Sequence, residues 1–267
     1  MSRLRTTVCP LRSGSSGNSV LIAGRSTKIL IDAGVSCRTI ERAMRELDHE
    51  PDQLSALLVT HEHSDHISGI GVLMRRYRLP LYVNHKTWQA MRSSVEPVDE
   101  SLVHIFETDR SLTIGDFDIT PFSTPHDAAD SVGYRIKTDD GDVALMTDIG
   151  CMNGQLLQQA AGSQVVLIES NYDPAMLQAG RYPAFLKERV SSSVGHLSND
   201  DCARAIADLL QLGTNRFILS HLSAENNYPE LALLTVGRHL NTIQAAPGKD
   251  ATVTVARRYS VSESICL

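Results

Sequence analysis

Residues 61–66 of the chain read HEHSDH and come directly after the apolar run ALLVT at residues 56–60. Because His61 and His63 alternate, both imidazoles project to the same side of an extended segment. Asp65 and His66 follow at the expected start of a helix, where they can face a second ion. Imidazole and carboxylate ligands together suit Zn²⁺, Mn²⁺ or Fe. This stretch therefore predicts a compact metal-binding turn that can serve two adjacent ions.

Five further polar residues come just after apolar runs that look like buried strands. They are Asp32 after KILI, His126 after ITPFSTP, Asp148 after VALMT, Glu169 after VVLI and His221 after FILS. Strand ends can gather at one edge of a sheet, so residues distant in sequence can converge on one crevice. The pattern predicts that these side chains and the 61–66 turn share a single site.

Short apolar runs predict buried strands, and apolar stripes with helical spacing predict helices between them. The strand runs are 20–23, 28–31, 56–59, 81–83, 119–121, 143–146, 165–168 and 217–219. The helical stripes begin at Ile40, Ile67 and Cys202, and Gly213 is placed to end the last of them. No repeat or Pro/Gly/Ser-rich linker divides the sequence. We therefore expect one domain over residues 1–267, built as an α/β or α+β sandwich.

Composition narrows the class of protein. Apolar residues make up 42% of the 267 residues, and no apolar run reaches the roughly 18–20 residues that span a bilayer. The N-terminal residues lack the apolar region of a secretory signal, so the expected location is the cytoplasm. The five cysteines are widely spaced without a C-x-x-C pair, which argues against disulfides and thiolate metal sites. The net charge of −6 argues against a protein that coats nucleic acid, but not against an enzyme that grips phosphates through metal ions.

His196 is a candidate of a different kind. It lies in GHLSNDD at residues 195–201, where Ser198 and Asp201 resemble a capping box that starts a helix. A residue just before a helix N-terminus is well placed to meet a phosphate. We interpret His196 as a group that contacts the scissile phosphate or protonates the leaving oxygen. The alternative is a histidine that only orders the turn.

The loop SGSSGNS at residues 13–19 is small and rich in hydrogen-bond donors. Such a loop can bring backbone N–H groups close to an anion, although Gly/Ser turns are also common without a ligand. Ser15, Ser16 and Asn18 are the substrate-binding candidates here, and Asn171 in ESNYD is a weaker one.

Two short basic runs could touch a nucleic-acid backbone. One contains Arg75, Arg76 and Arg78, and the other contains Arg181, Lys187 and Arg189. The favoured interpretation of both is a solvated helix face.

The pattern H-x-H-x-D-H after an apolar strand resembles the signature of the metallo-β-lactamase fold superfamily. This resemblance implies an α+β fold, a four-layer αββα sandwich. It also implies a first metal held by His61, His63 and His126, and a second held by Asp65, His66 and His221. Asp148 would bridge the two ions, while Asp32 would orient the cluster from outside it.

Several other segments resemble the bacterial YycJ/WalJ group: LRSGSSGNS, ILIDAG, ESNYD, GHLSN and SHLSAENN. That resemblance implies a dinuclear metal-dependent exonuclease acting on DNA, in which the ions activate water and offset phosphate charge. Asp148 would hold the spacing of the ions, and Asp65 could orient the nucleophile. Zn²⁺, Mn²⁺ and Fe remain open as the metal, and the oligomeric state is also open.

Two alternatives differ from this hypothesis in substrate or in activity. The same fold and metals could hydrolyse a small phosphodiester, a thioester, a lactone or a β-lactam, since fold does not fix substrate. A non-catalytic relative should have lost metal ligands, whereas all seven positions are filled here. The stretch between Asp148 and His221 is too short for the large inserted domain of the RNA-processing β-CASP enzymes.

Overall fold

The structure, a computed structural model that describes residues 5–246 and 248–267, consists of two seven-stranded sheets with helices on their outer faces. The strands in chain order are β1 (Thr7–Arg12), β2 (Ser19–Ala23), β3 (Lys28–Ile31), β4 (Ala56–Leu58), β5 (Leu81–Asn84), β6 (Val103–Phe106), β7 (Leu112–Ile114), β8 (Phe117–Ser123), β9 (Val132–Thr138), β10 (Gly141–Met146), β11 (Val165–Glu169), β12 (Arg216–Ser220), β13 (Thr252–Val255) and β14 (Ile265–Cys266). The helices are α1 (Cys37–Arg45), α2 (Ser64–Ile67), α3 (Ile70–Tyr77), α4 (His85–Val95), α5 (Gly154–Ala160), α6 (Pro174–Ala179), α7 (Ala184–Val190), α8 (Asn199–Gln211) and α9 (Pro229–Thr242). Short 3₁₀ turns cover Pro51–Gln53 and Glu100–Leu102.

Both sheets are mixed. The first has the order β14-β1-β2-β3-β4-β5-β6 and is parallel from β3 to β6. The second has the order β13-β12-β11-β10-β9-β8-β7 and is parallel from β10 to β13. Helical crossovers join the parallel strands, as parallel pairing requires.

Successive side chains of the central strands point to opposite faces and contribute to three apolar layers. In β3, Ile29 and Ile31 pack between the two sheets, whereas Leu30 packs outward among residues of α1 and α3. In β11, Val165 and Leu167 point between the sheets, and Val166 points outward towards α8 and α9. Successive strand residues face opposite sides, so one apolar run serves both a central core and an outer helical layer. The predicted four-layer αββα sandwich is confirmed.

The strands that carry the candidate site end at the same edge of the sandwich. Asp32, Asp148 and His221 follow β3, β10 and β12, and all three have left-handed backbone conformations with φ of 60°, 55° and 54°. Non-glycine residues rarely adopt this conformation, and such residues cluster at functional sites. The chain turns sharply off each strand at these positions.

The apolar stripe that begins at Ile67 forms two helices instead of one. Helix α2 ends at Ile67 and α3 begins at Ile70. At the break, the Gly69 N–H donates to the Ala33 carbonyl at 2.7 Å, and a Cβ on Gly69 would lie 2.3 Å from the Val35 carbonyl oxygen. Close packing against the segment after β3 therefore interrupts the helix.

The expected start of α8 is confirmed, with one difference in its cap. The Ser198 hydroxyl accepts from the Asp201 N–H at 3.1 Å. The Asp201 carboxylate accepts from that hydroxyl at 2.6 Å. In a capping box it would instead reach the Ser198 backbone N–H.

Of the helices in the described part of the chain, none combines the length and apolar character needed to cross a membrane.

Gly34→Ala is expected to destabilise the fold because its Cβ would lie 1.6 Å from the Asp65 carbonyl oxygen. Backbone would have to move, at a cost of about 1–3 kcal/mol in the free energy of unfolding. Gly237→Ala in α9 is the control, since no atom of the described residues outside its chain neighbours and its own helical turn lies within 4 Å of its Cβ position. Urea unfolding of both variants measures the difference, and equal stabilities would contradict the close contact.

Candidate metal centre

Three imidazoles meet edge to edge at the end of β4. The His63 Nδ1 atom lies 3.1 Å from His61 Nε2 and 3.3 Å from His126 Nε2. His61 and His126 are buried. The lone pairs of unprotonated ring nitrogens repel one another at this separation, whereas one divalent ion could accept all three.

Hydrogen bonds on the far sides of the rings set the direction of two inner nitrogens. The His126 Nδ1 atom lies 3.0 Å from the Gly195 carbonyl oxygen. The His66 Nδ1 atom lies 2.7 Å from Asp32 Oδ2. Since a carbonyl and a carboxylate only accept, Nδ1 donates in both rings. When these rings are neutral, as metal ligands must be, the Nε2 lone pair of each therefore faces the cluster.

Thr60 orients a third ring, that of His61, in the same way. Its N–H and its hydroxyl both donate to the Asp32 carboxylate at 2.8 Å. Its hydroxyl oxygen is then free to accept from His61 Nδ1, 3.0 Å away. Asp32 thus orients His66 directly and His61 through Thr60. Sequence reasoning found Asp32 but missed Thr60, which carries no motif of its own.

Asp148 lies between two groups of possible ligands. Its carboxylate oxygens are 3.2 Å from His66 Nε2, 3.2 Å from His221 Nδ1 and 3.9 Å from His126 Nε2. Asp65 Oδ2 lies 3.5 Å from His221 Nε2 and 3.7 Å from His66 Nε2. The geometry brings together all seven residues predicted as ligands.

Glu169 connects two histidines at the base of the site. Its Oε1 atom lies 2.8 Å from Nδ1 of His196 and 2.8 Å from Nδ1 of His221. Its Oε2 atom accepts from the N–H groups of Ile149 and Leu197 at 2.8 and 3.2 Å. Glu169 is fully buried. The strand-end pattern singled out this residue, but not its contacts.

The carboxylates of Asp148, Asp65 and Glu169 are stabilised in their charged form by a nearby positive charge. Burial opposes ionisation of Asp148, but the neighbouring His221 and His66 hold its pKa well below the ordinary value. Burial also opposes the charged form of His221, yet Asp148, Asp65 and Glu169 raise its pKa to about 10. A bound cation can supply the charge that a proton supplies here.

The imidazole-rich half behaves differently. Burial and the nearby His66 lower the pKa of His61 well below its ordinary value, and burial lowers the pKa of His126. Both rings are therefore neutral and able to donate a lone pair to a metal.

Two orphaned polar atoms test whether these residues fit metal ions. In the part of the chain that the structure describes, Asp148 Oδ2 and His221 Nε2 are buried without a hydrogen bond of normal geometry. Such atoms are costly unless a ligand satisfies them. The donors are imidazole nitrogens and carboxylate oxygens, within 4.8 Å of one another in each candidate group. This donor set fits divalent ions.

A cleft of about 220 Å³ opens over the cluster, and Ser15, Asn171 and His196 line it. The Asn171 amide donates to the His221 carbonyl at 2.8 Å. Two residues of the loop lie elsewhere. Ser16 is exposed, and its hydroxyl lies 3.5 Å from Arg258 Nη1. Asn18 is buried, with its amide nitrogen 3.0 Å from His66 Nε2.

The two basic runs differ in their placement. Arg76 pairs with Glu41 at 2.7 Å and Arg78 with Asp99 at 3.2 Å, away from the cleft. Arg189 instead lines the cleft and pairs with Asp127 at 2.5 Å. The sequence gives no signal that separates Arg189 from an ordinary solvated arginine.

Known proteins share this arrangement of fold and site. The family profile described as "Beta-lactamase superfamily domain" matches residues 27–222. The chain belongs to this superfamily. The match includes every predicted ligand from His61 to His221, so the resemblance seen in HEHSDH is confirmed.

Two relatives match over most of their length. The chain is 43% identical over 245 residues to Exodeoxyribonuclease WalJ of Streptococcus pneumoniae, covering 91% of each protein. It is 39% identical over 230 residues to Exodeoxyribonuclease YycJ of Bacillus anthracis, covering 86% of this chain and 87% of that protein. The predicted resemblance to the YycJ/WalJ group is also confirmed.

Solved structures agree with the fold. The metallo-β-lactamase fold protein YhfI from Bacillus subtilis superposes with a TM-score of 0.70 over 97% of this chain and 99% of that one, at 17% identity. The chain therefore has the metallo-hydrolase fold with a His/Asp cluster that could hold metal ions.

Asp32→Asn is expected to weaken divalent-ion binding about 10–100-fold, because it disturbs the groups that orient His66 and His61. Titration with Zn²⁺ or Mn²⁺ monitored by calorimetry measures the affinity. Asp52→Asn, at an exposed position, is the control. Wild-type affinity in Asp32→Asn would show that the outer hydrogen bonds do not tune the cluster.

Proposed function

We propose that the protein is a dinuclear metal-dependent phosphodiesterase that acts as an exonuclease on DNA. The observation that carries this proposal is the position of Asp148 between two groups of donors, one rich in imidazole and one rich in carboxylate. Relatives named exodeoxyribonucleases, at 43% and 39% identity over most of the chain, support the DNA substrate.

The proposed ligand sets follow the two groups. His61, His63 and His126 would hold one ion, Asp65, His66 and His221 the other, and Asp148 would contact both. Zn²⁺ and Mn²⁺ suit these donors, and Fe is also compatible with them. Divalent ions bound here would supply Lewis-acid chemistry, lowering the pKa of a water molecule and offsetting the charge of the phosphodiester.

The protein's own groups would orient the reactants. Asp65 is half-exposed at the cleft, where its carboxylate can accept a hydrogen bond from the attacking water. Ser15 and Asn171 line the same cleft and can meet phosphate oxygens. Ser16 is exposed on the same loop. Asn18 accepts from the Gly14 N–H and lies close to His66, so it supports both the loop and that ring.

His196 would act on the leaving oxygen. Glu169 accepts from its Nδ1, which fixes the ring and leaves Nε2 as the atom available to the cleft that His196 lines. A proton on Nε2 can then be given to the departing oxygen, or the N–H can bind the scissile phosphate. Its ring is not among the seven proposed ligands.

We further infer that residues 1–267 act as one hydrolase domain in the cytoplasm, with DNA as the partner and no membrane association.

Product analysis on end-labelled DNA tests the proposed activity. Duplex and single-stranded DNA and RNA, labelled at the 5′ or 3′ end, are incubated with the protein and Mn²⁺. Stepwise loss of nucleotides from DNA is expected. Hydrolysis of a generic phosphodiester without cleavage of any polynucleotide would instead favour a small-molecule hydrolase.

Asp148→Ala is expected to release metal and abolish hydrolysis, because it removes the carboxylate placed between the two groups of donors. Metal content by mass spectrometry and initial rates measure the two effects. Asp118→Ala, at an exposed position in β8, is the control and should keep both. Full metal stoichiometry and full rate in Asp148→Ala would overturn the assignment.

His196→Ala is expected to keep its metal while turnover falls by about 10²–10⁴-fold, as for loss of a general acid. Initial rates at saturating DNA, together with metal content, separate this effect from loss of the ions. His85→Ala provides a histidine control at an exposed position. Unchanged turnover would return His196 to a purely structural role.

A further inference from the structure

A second cavity, of about 620 Å³, lies beside the metal cleft. One wall is the segment that follows β12 and includes Ser223 and Tyr228. The opposite wall is the segment after β13, with Arg257, Arg258 and Tyr259. Its size falls in the range of cavities that bind small ligands, so a single nucleotide fits such a volume.

The two cavities share one lining residue, Ser223, which is two residues from His221. Ser13 also lines the second cavity, and its hydroxyl accepts from the His221 N–H at 2.8 Å. A ligand in the second cavity would therefore contact the segment that carries His221, one of the proposed metal ligands.

The charge of the second cavity is positive. Arg257 and Arg258 are the charged members of its lining, and none of the described residues that line it is acidic. Helix α9 begins at Pro229 in the same wall, but Glu230 in its first turn offsets the partial positive charge of its N-terminus, so the two arginines supply the positive charge. In a chain with a net charge of −6, this local balance favours an anionic ligand.

Two exposed tyrosines provide flat aromatic surfaces at the cavity. Tyr228 is 49% exposed and Tyr259 is 74% exposed. The Arg258 guanidinium carbon lies 5.9 Å from the centroid of the Tyr259 ring and covers one of its faces. The other face of Tyr259 and the Tyr228 ring are available to a planar partner. Proteins that bind single strands stack bases on such rings and hold the backbone with basic side chains.

Arg258 joins this wall to the loop that borders the metal cleft. Its guanidinium donates to the Leu222 carbonyl and lies 3.5 Å from the Ser16 hydroxyl. It also covers Gly14, where a Cβ would lie 2.5 Å from Nη1. Arg258 is therefore a positioning residue, whereas Arg257 and Tyr259 are exposed and available to a ligand.

We propose that this second cavity binds the nucleotide adjacent to the scissile phosphate of a DNA strand. Arg257 contacts the backbone phosphate, and Tyr228 and Tyr259 stack against the base. This inference rests on the proposed exonuclease function. It assigns strand recognition to the segment after β13, which lies outside the metal cluster.

The double variant Arg257→Ala/Tyr259→Ala tests this assignment. Its KM for a DNA oligonucleotide should rise about 5- to 150-fold, the range that corresponds to loss of one stacked base. The ratio of kcat/KM for DNA to kcat/KM for bis(p-nitrophenyl) phosphate should fall with it. Arg42→Ala, at an exposed arginine on α1, is the control and should keep the wild-type KM. A wild-type KM in the double variant, or an equal loss on both substrates, would overturn the proposal.

A binding measurement separates this proposal from the exonuclease function. Fluorescence anisotropy of a labelled eight-residue oligothymidylate with phosphorothioate linkages reports binding without relying on cleavage. If the wild type cleaves no DNA, the proposed function fails. The cavity assignment then stands only if the wild type binds this oligonucleotide and the double variant binds it more weakly. Absent or equal binding would overturn the cavity assignment as well.

Discussion

Hydrogen bonds on the outer sides of the histidine rings are the constraint on which the site depends. Asp32 accepts from His66 and from Thr60, and Thr60 in turn accepts from His61. The Gly195 carbonyl does the same for His126. Each bond settles which ring nitrogen keeps its proton, and so which lone pair faces inward. Without them, the same residues would form a cluster with no fixed direction of coordination.

The two sheets supply different halves of this cluster because their strands end at a common edge. The imidazole-rich turn follows β4 in the first sheet, while Asp148 and His221 follow β10 and β12 in the second. Left-handed backbone at Asp148 and His221 turns the chain at the ends of these strands. The contact of Gly34 with the Asp65 carbonyl then locks the 61–66 turn onto the segment after β3. The site is thus formed by residues of both sheets at their common edge and not by any single loop.

The central strands were predictable because their apolar runs are continuous, as in β3 and β11, which are buried on both faces. Strands without such runs were missed. In β9 the sequence VGYRIKT alternates buried apolar residues with Gly133, Arg135 and Lys137, which is the period-2 pattern of a strand and not a continuous apolar run. In the edge strand β6, Ile105 is 48% exposed, so β6 lacks the run of buried apolar residues that marks the central strands. The alternation in β9 was therefore a local signal that a search for continuous runs overlooks, whereas β6 depends on its pairing with β5.

The sequence by itself determined an α/β or α+β sandwich, because its apolar runs and stripes have strand and helix spacing, and its resemblance to the metallo-β-lactamase superfamily implied the four layers. It also determined the donor types, because HEHSDH and the strand-end residues carry imidazoles and carboxylates. Only the tertiary structure decided which further groups reach the site. Glu169 contacts His196 and His221 because β11 lies beside β12, and Arg258 meets the 13–19 loop from the far end of the chain. Such contacts join segments that are close only after the sheets have formed, so local spacing carries no trace of them.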